Sequence, residues 1–198
     1  MANTAPKIYL IRHGETLWTQ SGQHTGRTDI SLTEEGEKQA KQLGHLLKNI
    51  HFQATFTSPL KRAKETCILA GLYSQTSVDE NLVEFDYGAY EGKTSKEIKQ
   101  IDPHWSLFLH GAPKGESLAD VGERANRFLG KVRRFSGPIA VFSHGHFLRV
   151  LCARYLDLAP SYGKFFVLSP ASLSILGIEH NKPAILEWNN TSHLPLNN

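Results

Sequence analysis

The sequence predicts an α/β protein with a largely parallel central sheet, on three observations. Short continuous apolar runs, such as Ile8-Tyr9-Leu10-Ile11 and Ile139-Ala140-Val141-Phe142, read as strands buried on both faces. These runs alternate with longer segments of helical periodicity. Three strand ends lead into a basic or titratable residue, at Arg12-His13, Arg62 and His144. In open parallel sheets the carboxyl ends of the strands form the ligand crevice, so these residues are expected to meet there. With 198 residues, 40% of them hydrophobic, the chain can bury one sizeable core, and residues 1–198 read as a single domain.

Each element has its own signal. After the first strand, Thr19 to Asp29 reads as a polar, glycine-containing loop. Thr33 is placed to cap a helix whose inner stripe is Ala40, Leu43, Leu47 and Ile50. Ala54 to Thr57 reads as a strand, and Ser58-Pro59 as the N-cap and first residue of the next helix, with Leu60, Ala63, Cys67 and Ala70 on its inner face. Residues 72–116 are irregular and rich in aromatic residues, glycine and proline. They read as an insertion that covers something, with weak helices near 94–101 and 103–109. A long helix from about Ser117 to Phe135 follows, broken by Gly137-Pro138. The run ending at Phe142 passes through Ser143-His144-Gly145-His146 into another helix. Leu173 to Ile178 and Ala184 to Trp188 read as late strands, and the tail from Asn189 as loose.

Composition excludes several classes. A net charge of +3 is too mild to imply nucleic acid binding, but it suits a small anionic substrate if focused in a cleft. No stretch is long enough to cross a bilayer, and the apolar run at Ile8 is too short for a signal segment, which makes the cytoplasm the expected location. Cys67 and Cys152 are then expected as reduced, buried thiols.

The gathered residues suit a phosphate monoester. Arg12 and Arg62 offer planar donors that match phosphate oxygens, and a helix beginning at Gly145 adds backbone N–H groups. His13 can supply a neutral imidazole nitrogen as nucleophile, because the arginines disfavour imidazolium. His144 can donate to the equatorial oxygens, and Glu84, among apolar and aromatic neighbours, can give the leaving alkoxide a proton. Neither a metal nor a cofactor is required. The rival reading of His144 and His146 as metal ligands lacks a companion H-x-x-x-H or C-x-x-C. His146 is expected as a helix-start residue near the pocket. Tyr90 and Trp105 suit either the substrate mouth or packing within the insertion.

Arg12-His13-Gly14-Glu15-Thr16 resembles the signature of the histidine phosphatase superfamily, in its phosphoglycerate mutase-like branch. Further motifs match in order: His24 to Asp29 with Leu32-Thr33 and Gly36, Ser58 to Ala63 with Thr66, Glu84 with Gly88 and Glu91-Gly92, and Ser143 to His146. The resemblance implies a three-layer α/β/α sandwich with a small insertion over the active site. It implies His13 as the phosphorylated nucleophile, Arg12, Arg62 and His144 as holders of the phosphoryl group, and Glu84 as proton donor. It also implies substrate contacts at Thr25 and Gly26, with Gln23, Tyr87 and Gly145 as further candidates.

Within that family the chain departs from the mutase pattern. Thr19 stands where mutases typically carry Asn, and Arg27 where they carry an aromatic residue. The insertion offers Lys93, Lys96, Lys99 and Lys114 but no arginine pair for a far carboxylate or second phosphate. The reading is therefore a phosphatase, most similar over Ser21 to Asp29 to the sedoheptulose and fructose bisphosphatase-like members. Arg27 and His24 are either holders of a second phosphate or solvated. Phosphoglycerate mutase and a non-catalytic phospho-ligand binding module are the alternatives. The expected partner is a small phosphate ester, and a homodimer is compatible with the sequence.

Overall fold

The computed structural model describes residues 5–195; the polar start of the chain, Met1 to Thr4, and residues 196–198 lie outside the described residues. Strand β1 (Ile8–Arg12) leads through a one-turn helix α1 (Leu17–Ser21) to α2 (Glu34–Leu47), β2 (Ala54–Thr57) and α3 (Lys61–Leu69). The short β3 (Thr76–Val78) precedes an insertion that carries α4 (Ser95–Ile101) and α5 (Leu107–His110). Next come α6 (Leu118–Val132), β4 (Ile139–Ser143), α7 (Gly145–Tyr155) and a hairpin of β5 (Leu173–Glu179) and β6 (Lys182–Asn190).

The strands form one six-stranded sheet in the order β3-β2-β4-β1-β5-β6. The first four are mutually parallel, while β5 runs antiparallel to β1 and β6 antiparallel to β5. Alternation along the central strands makes the three layers. Ile8, Leu10, Ile139 and Val141 pack with Phe128 of α6 and Leu148 of α7, while Ile11, Ala140 and Phe142 pack with Leu43 and Leu47 of α2 and Cys67 of α3.

Register places the chemistry. Arg12 lies opposite Ser143, and Thr57 opposite Phe142. The next residues, His13, Ser58 and His144, therefore leave three neighbouring strands at the same end of the sheet. The backbone continues this pairing, since His13 N–H donates to Ser143 O and Ser58 N–H to Phe142 O.

Four expectations are corrected. The segment read as loop from Thr19 begins inside α1, which the reciprocal Thr16–Thr19 caps and the left-handed Gly22 delimit; five residues are too few to show periodicity. Ser58 does not cap α3. That helix starts at Lys61, whose N–H donates to Asp29 Oδ1, and Ser58 Oγ faces His144 instead. The insertion starts later than residue 72, because Thr76–Val78 pairs with β2 as an edge strand too short and polar to be legible. The tail is not loose from Asn189. Asn189 and Asn190 belong to β6, and Asn189 Oδ1 accepts from Ser169 N–H.

The loop after β1 is pressed onto the start of α2. A Cβ on Gly36 would lie 2.2 Å from Glu15 O, and one on Gly14 would lie 2.6 Å from Gly36 O. Since both neighbours are backbone, Gly36→Ala should lower stability by about 1–3 kcal/mol. A urea titration should show the lower midpoint at unchanged m-value.

Candidate active site

A cavity of about 220 Å³ opens at the carboxyl end of β1 and β4. Arg12, His13, Gln23, His24, Thr25, Glu84, Tyr87, Gly145, His146 and Arg149 are among its walls.

His13 is 3% exposed, and its Nδ1 lies 2.7 Å from Gly14 O. A carbonyl can only accept, so Nδ1 carries the proton and Nε2 keeps its lone pair. Burial, then Arg62 and Arg12, hold the imidazole well below the usual histidine range. The ring is thus neutral, oriented and exposed to the cavity through the nitrogen that could attack. Arg12 donates Nη1 to Leu168 O, and its Nε is buried without a protein partner among the described residues. The absence of a side chain at residue 145 makes room for it, because a Cβ there would lie 3.2 Å from the Arg12 guanidinium carbon.

Arg62 and His144 stand behind this wall rather than on it. Arg62 is fully buried, and four of its five N–H groups are committed. Nε donates to His144 Nδ1 at 3.1 Å, Nη1 to Thr28 O, and Nη2 to Thr25 O and Gly26 O, each at 3.0 Å. It does not present the bidentate face expected from the sequence. His144 accepts at Nδ1, so its Nε2 bears the proton and donates to Ser58 Oγ at 2.8 Å, not into the cavity. Its ring centroid lies 5.2 Å from that of His13. Burial, then Arg62 and His13, keep it neutral.

The carboxylate of Glu84 sits at the N-terminus of α7. Oε1 accepts from Phe85 N–H and Phe147 N–H, and Oε2 from His146 N–H at 3.0 Å. Backbone donors for phosphate are expected from the helix beginning at Gly145; its His146 and Phe147 N–H groups hold Glu84 instead. Behind it, Arg124 joins α6 to this loop, donating to Glu116, Asn81 O and Val83 O, with its guanidinium 4.9 Å from the centre of the Phe147 ring. Arg124 is absent from the sequence-derived site. The signal available was an arginine inside the apolar stripe of α6.

The substrate loop is held in the same way. Glu91 Oε1 accepts from Gly26 N–H and Thr28 N–H. Both peptide groups of Gly26 are thereby occupied, and Gly26 is not on the cavity wall, contrary to the resemblance. Gln23, Thr25, Tyr87 and Gly145 are on it. Arg27 is not on the wall and lies within 3.7 Å of Asp86 and 3.9 Å of Glu116, whereas His24 does face the cavity. Tyr90 and Trp105 pack on each other in the core. His146 lines the cavity, and its Nδ1 meets the Tyr87 hydroxyl at 2.5 Å. Arg149, one turn further along α7, is the cationic wall residue that the sequence reading missed.

Among the described residues, no group of three or more His, Cys, Asp or Glu side chains is placed to share a metal ion. Nor is any described helix long and apolar enough to cross a membrane. Cys67 and Cys152 are buried and unpaired, and burial pushes their thiols up to about 11 and about 12.

A parallel sheet that delivers a tautomer-locked histidine, an arginine and an anchored carboxylate to one cavity defines a phosphoryl-handling site. The chain belongs to the histidine phosphatase superfamily (branch 1), whose model matches residues 8–191. It is 37% identical over 191 residues to an acid phosphatase of Mycobacterium tuberculosis, covering 94% of each chain. It is 31% identical over 190 residues to a sedoheptulose 1,7-bisphosphatase of Saccharomyces cerevisiae, covering 80% of this chain and 70% of that one. Probable phosphoglycerate mutases are also among its relatives. A solved structure of an open reading frame from Mycobacterium tuberculosis superposes with a TM-score of 0.91 at 37% identity, covering 94% of this chain and 98% of that one.

The histidines have a consequence for stability. Burial is the first cause that depresses His13, His144 and His146. Below about pH 6.5 the unfolded chain therefore binds more protons than the folded one, and stability falls as pH drops towards the folded-state values. Each histidine adds a slope of up to about 1.4 kcal/mol per pH unit. Urea midpoints measured from pH 7.5 to 5 should fall, and fall less steeply in His146→Gln. Equal slopes would mean that His146 is charged in the fold.

Proposed function

We propose that this chain is a phosphatase that hydrolyses small phosphate monoesters, phosphorylated sugars foremost, through a phosphohistidine on His13. The observation that carries this reading is the locked tautomer: Nδ1 is held by Gly14 O while Nε2 opens on a cavity shared with Arg12 and Glu84.

In the first half-reaction His13 Nε2 attacks phosphorus as the ester P–O bond breaks. Arg12, on the cavity wall with Nη1 committed to Leu168 O, gathers the developing oxygen charge with the donors that remain. Arg62 acts mainly by positioning, since it aims His144 and holds the carbonyls of the substrate loop, with one N–H left over. The leaving alkoxide takes its proton from the carboxylic acid form of Glu84. Oε2, with a single backbone partner, is the oxygen left to carry that proton. In the second half-reaction the resulting carboxylate takes a proton from water, the water oxygen attacks phosphorus, and the P–N bond breaks. Inorganic phosphate leaves, with His13 neutral and Glu84 protonated again.

Hydrolysis is favoured over phosphoglycerate mutase chemistry because the insertion brings only Glu84, Tyr87 and Ser95 to the cavity and no arginine. The sedoheptulose bisphosphatase relative supports sugar phosphates as the substrate class. Buried, unpaired thiols suit a reducing compartment, as expected of a cytoplasmic enzyme.

His13→Ala should lower p-nitrophenyl phosphate turnover by about 10³-fold or more while circular dichroism stays native. Rapid quench of the unaltered enzyme should trap an acid-labile, base-stable phosphoprotein that His13→Ala does not form. Turnover that survives the substitution would remove the nucleophile, and a stable fold that never turns over any ester would leave the binding-module reading. Isomerisation of 3-phosphoglycerate without release of phosphate would favour the mutase.

Glu84→Gln should slow alkyl phosphates at least about tenfold more than p-nitrophenyl phosphate, whose leaving group needs no proton. Equal losses on both would show that the carboxyl does not act as the acid.

A further inference from the structure

His13 is held through its main chain by a segment that is itself held from outside. Its N–H donates to Ser143 O at 3.0 Å, and its carbonyl accepts from Ala171 N–H at 2.9 Å. Ala171 belongs to residues 168–172, which lead into β5. The same segment carries Arg12 twice: Leu168 O accepts from its Nη1, and Ser172 O from its backbone N–H at 3.2 Å.

The shape of this segment turns on one residue. Ala171 is fully buried and lies in the left-handed region, at φ 53°. A Cβ opposes that conformation, so it depends on the bonds on either side of the Ala171 Cα. On one side is the bond to His13 O. On the other, Ala171 O accepts from His193 Nε2 at 3.0 Å. A carbonyl can only accept, so Nε2 carries the proton. His193 Nδ1 keeps its lone pair and is buried without a partner among the described residues. Burial lowers the affinity of this ring for a second proton. Asn189 of β6 braces the start of the segment, where its Oδ1 accepts from Ser169 N–H at 2.7 Å.

His193 belongs to neither core. Among the described residues, no member of either hydrophobic cluster lies beyond Trp188. The turn after β6 is closed by Leu194 N–H donating to Thr191 O. The bond that the His193 ring makes goes to the residue that carries His13 O, which is a role in direction more than in burial.

We propose that His193 is a positioning residue for the reaction at His13. By holding the carbonyl of Ala171 it keeps residues 168–172 in the shape that fixes Arg12 and the His13 main chain, and with them the aim of His13 Nε2. This rests on His13 being the nucleophile, as in the function proposed above.

His193→Ala should lower kcat on p-nitrophenyl phosphate by about tenfold or more with KM within about twofold, because a misaimed nucleophile costs rate and not ground-state binding. His193→Gln, whose amide nitrogen can donate from nearly the same place, should restore kcat to within about threefold. Val132→Ala, a truncation in the core at the end of α6, should lower the urea midpoint yet leave kcat within about twofold. A smaller loss in His193→Ala, a loss confined to KM, a glutamine variant no better than alanine, or an equal loss of kcat in Val132→Ala overturns the assignment. If His193→Ala does not fold, His193→Phe decides: it keeps a ring and removes the donor, and an unchanged kcat overturns the assignment equally.

A second readout needs no turnover. The His13 Nδ1–H signal of the 15N-histidine protein, identified by its loss in His13→Ala, should exchange with solvent faster in His193→Ala and recover in His193→Gln. Unchanged exchange overturns the positioning role. Faster exchange in a protein that hydrolyses no ester would end the phosphatase reading and leave His193 standing as the brace of His13.

Discussion

The site depends on where one buried guanidinium directs its donors. Arg62 has no carboxylate in contact; its charge is met by three carbonyls of the substrate loop and by an imidazole nitrogen. Burying a cation in this way is tolerable only because almost every N–H finds an acceptor. The consequence is mechanical as much as electrostatic. One side chain at the start of α3 ties the loop around Thr25 to His144 at the start of α7, and His144 in turn reaches Ser58 at the end of β2. Three segments distant along the chain are held as one unit immediately behind His13.

A second network meets the first at the start of α7. Arg124 draws the Asn81-to-Glu84 turn and Glu116 onto α6, and Glu84 then caps α7 through two backbone N–H groups of that helix. The helix N-terminus is thus used to orient an acid rather than to grip an anion directly. Between the two networks lie imidazoles that burial and nearby cations keep neutral. Neutrality is what a nitrogen nucleophile requires, and here it comes from the same burial that shapes the sheet core.

The cations on the cavity wall are therefore not the ones its sequence motifs suggest, and some motif residues do not face it at all. Gly26 is occupied by Glu91 and Arg62, and Arg27 by Asp86 and Glu116. Arg149 and His146 take places on the wall instead, three residues apart on one helix face. The break in the apolar run Phe147-Leu148-Arg149-Val150-Leu151 was the visible trace of this, because an arginine there must leave the core by a defined exit.

By itself the sequence determined every strand but the edge strand β3, the long helices and the residues at the strand ends. Continuous apolar runs specify β1 and β4, the Thr33 cap and the Ala40-Leu43-Leu47 stripe specify α2, and both kinds of signal are local. The gathering of Arg12, His13, Glu84, Arg62 and His144 was legible for a related reason: a parallel sheet collects its strand ends, and the motifs occur in family order. The tertiary structure alone decided which partner each polar atom takes. Whether Ser58 caps a helix or accepts from His144, whether Asp29 caps α3 from a distant loop, and whether Arg62 meets the cavity or the loop behind it depend on contacts spanning 32 to 86 residues of sequence. Such bonds are set by strand register and side-chain exit angle, and a shift of one residue would redirect all of them.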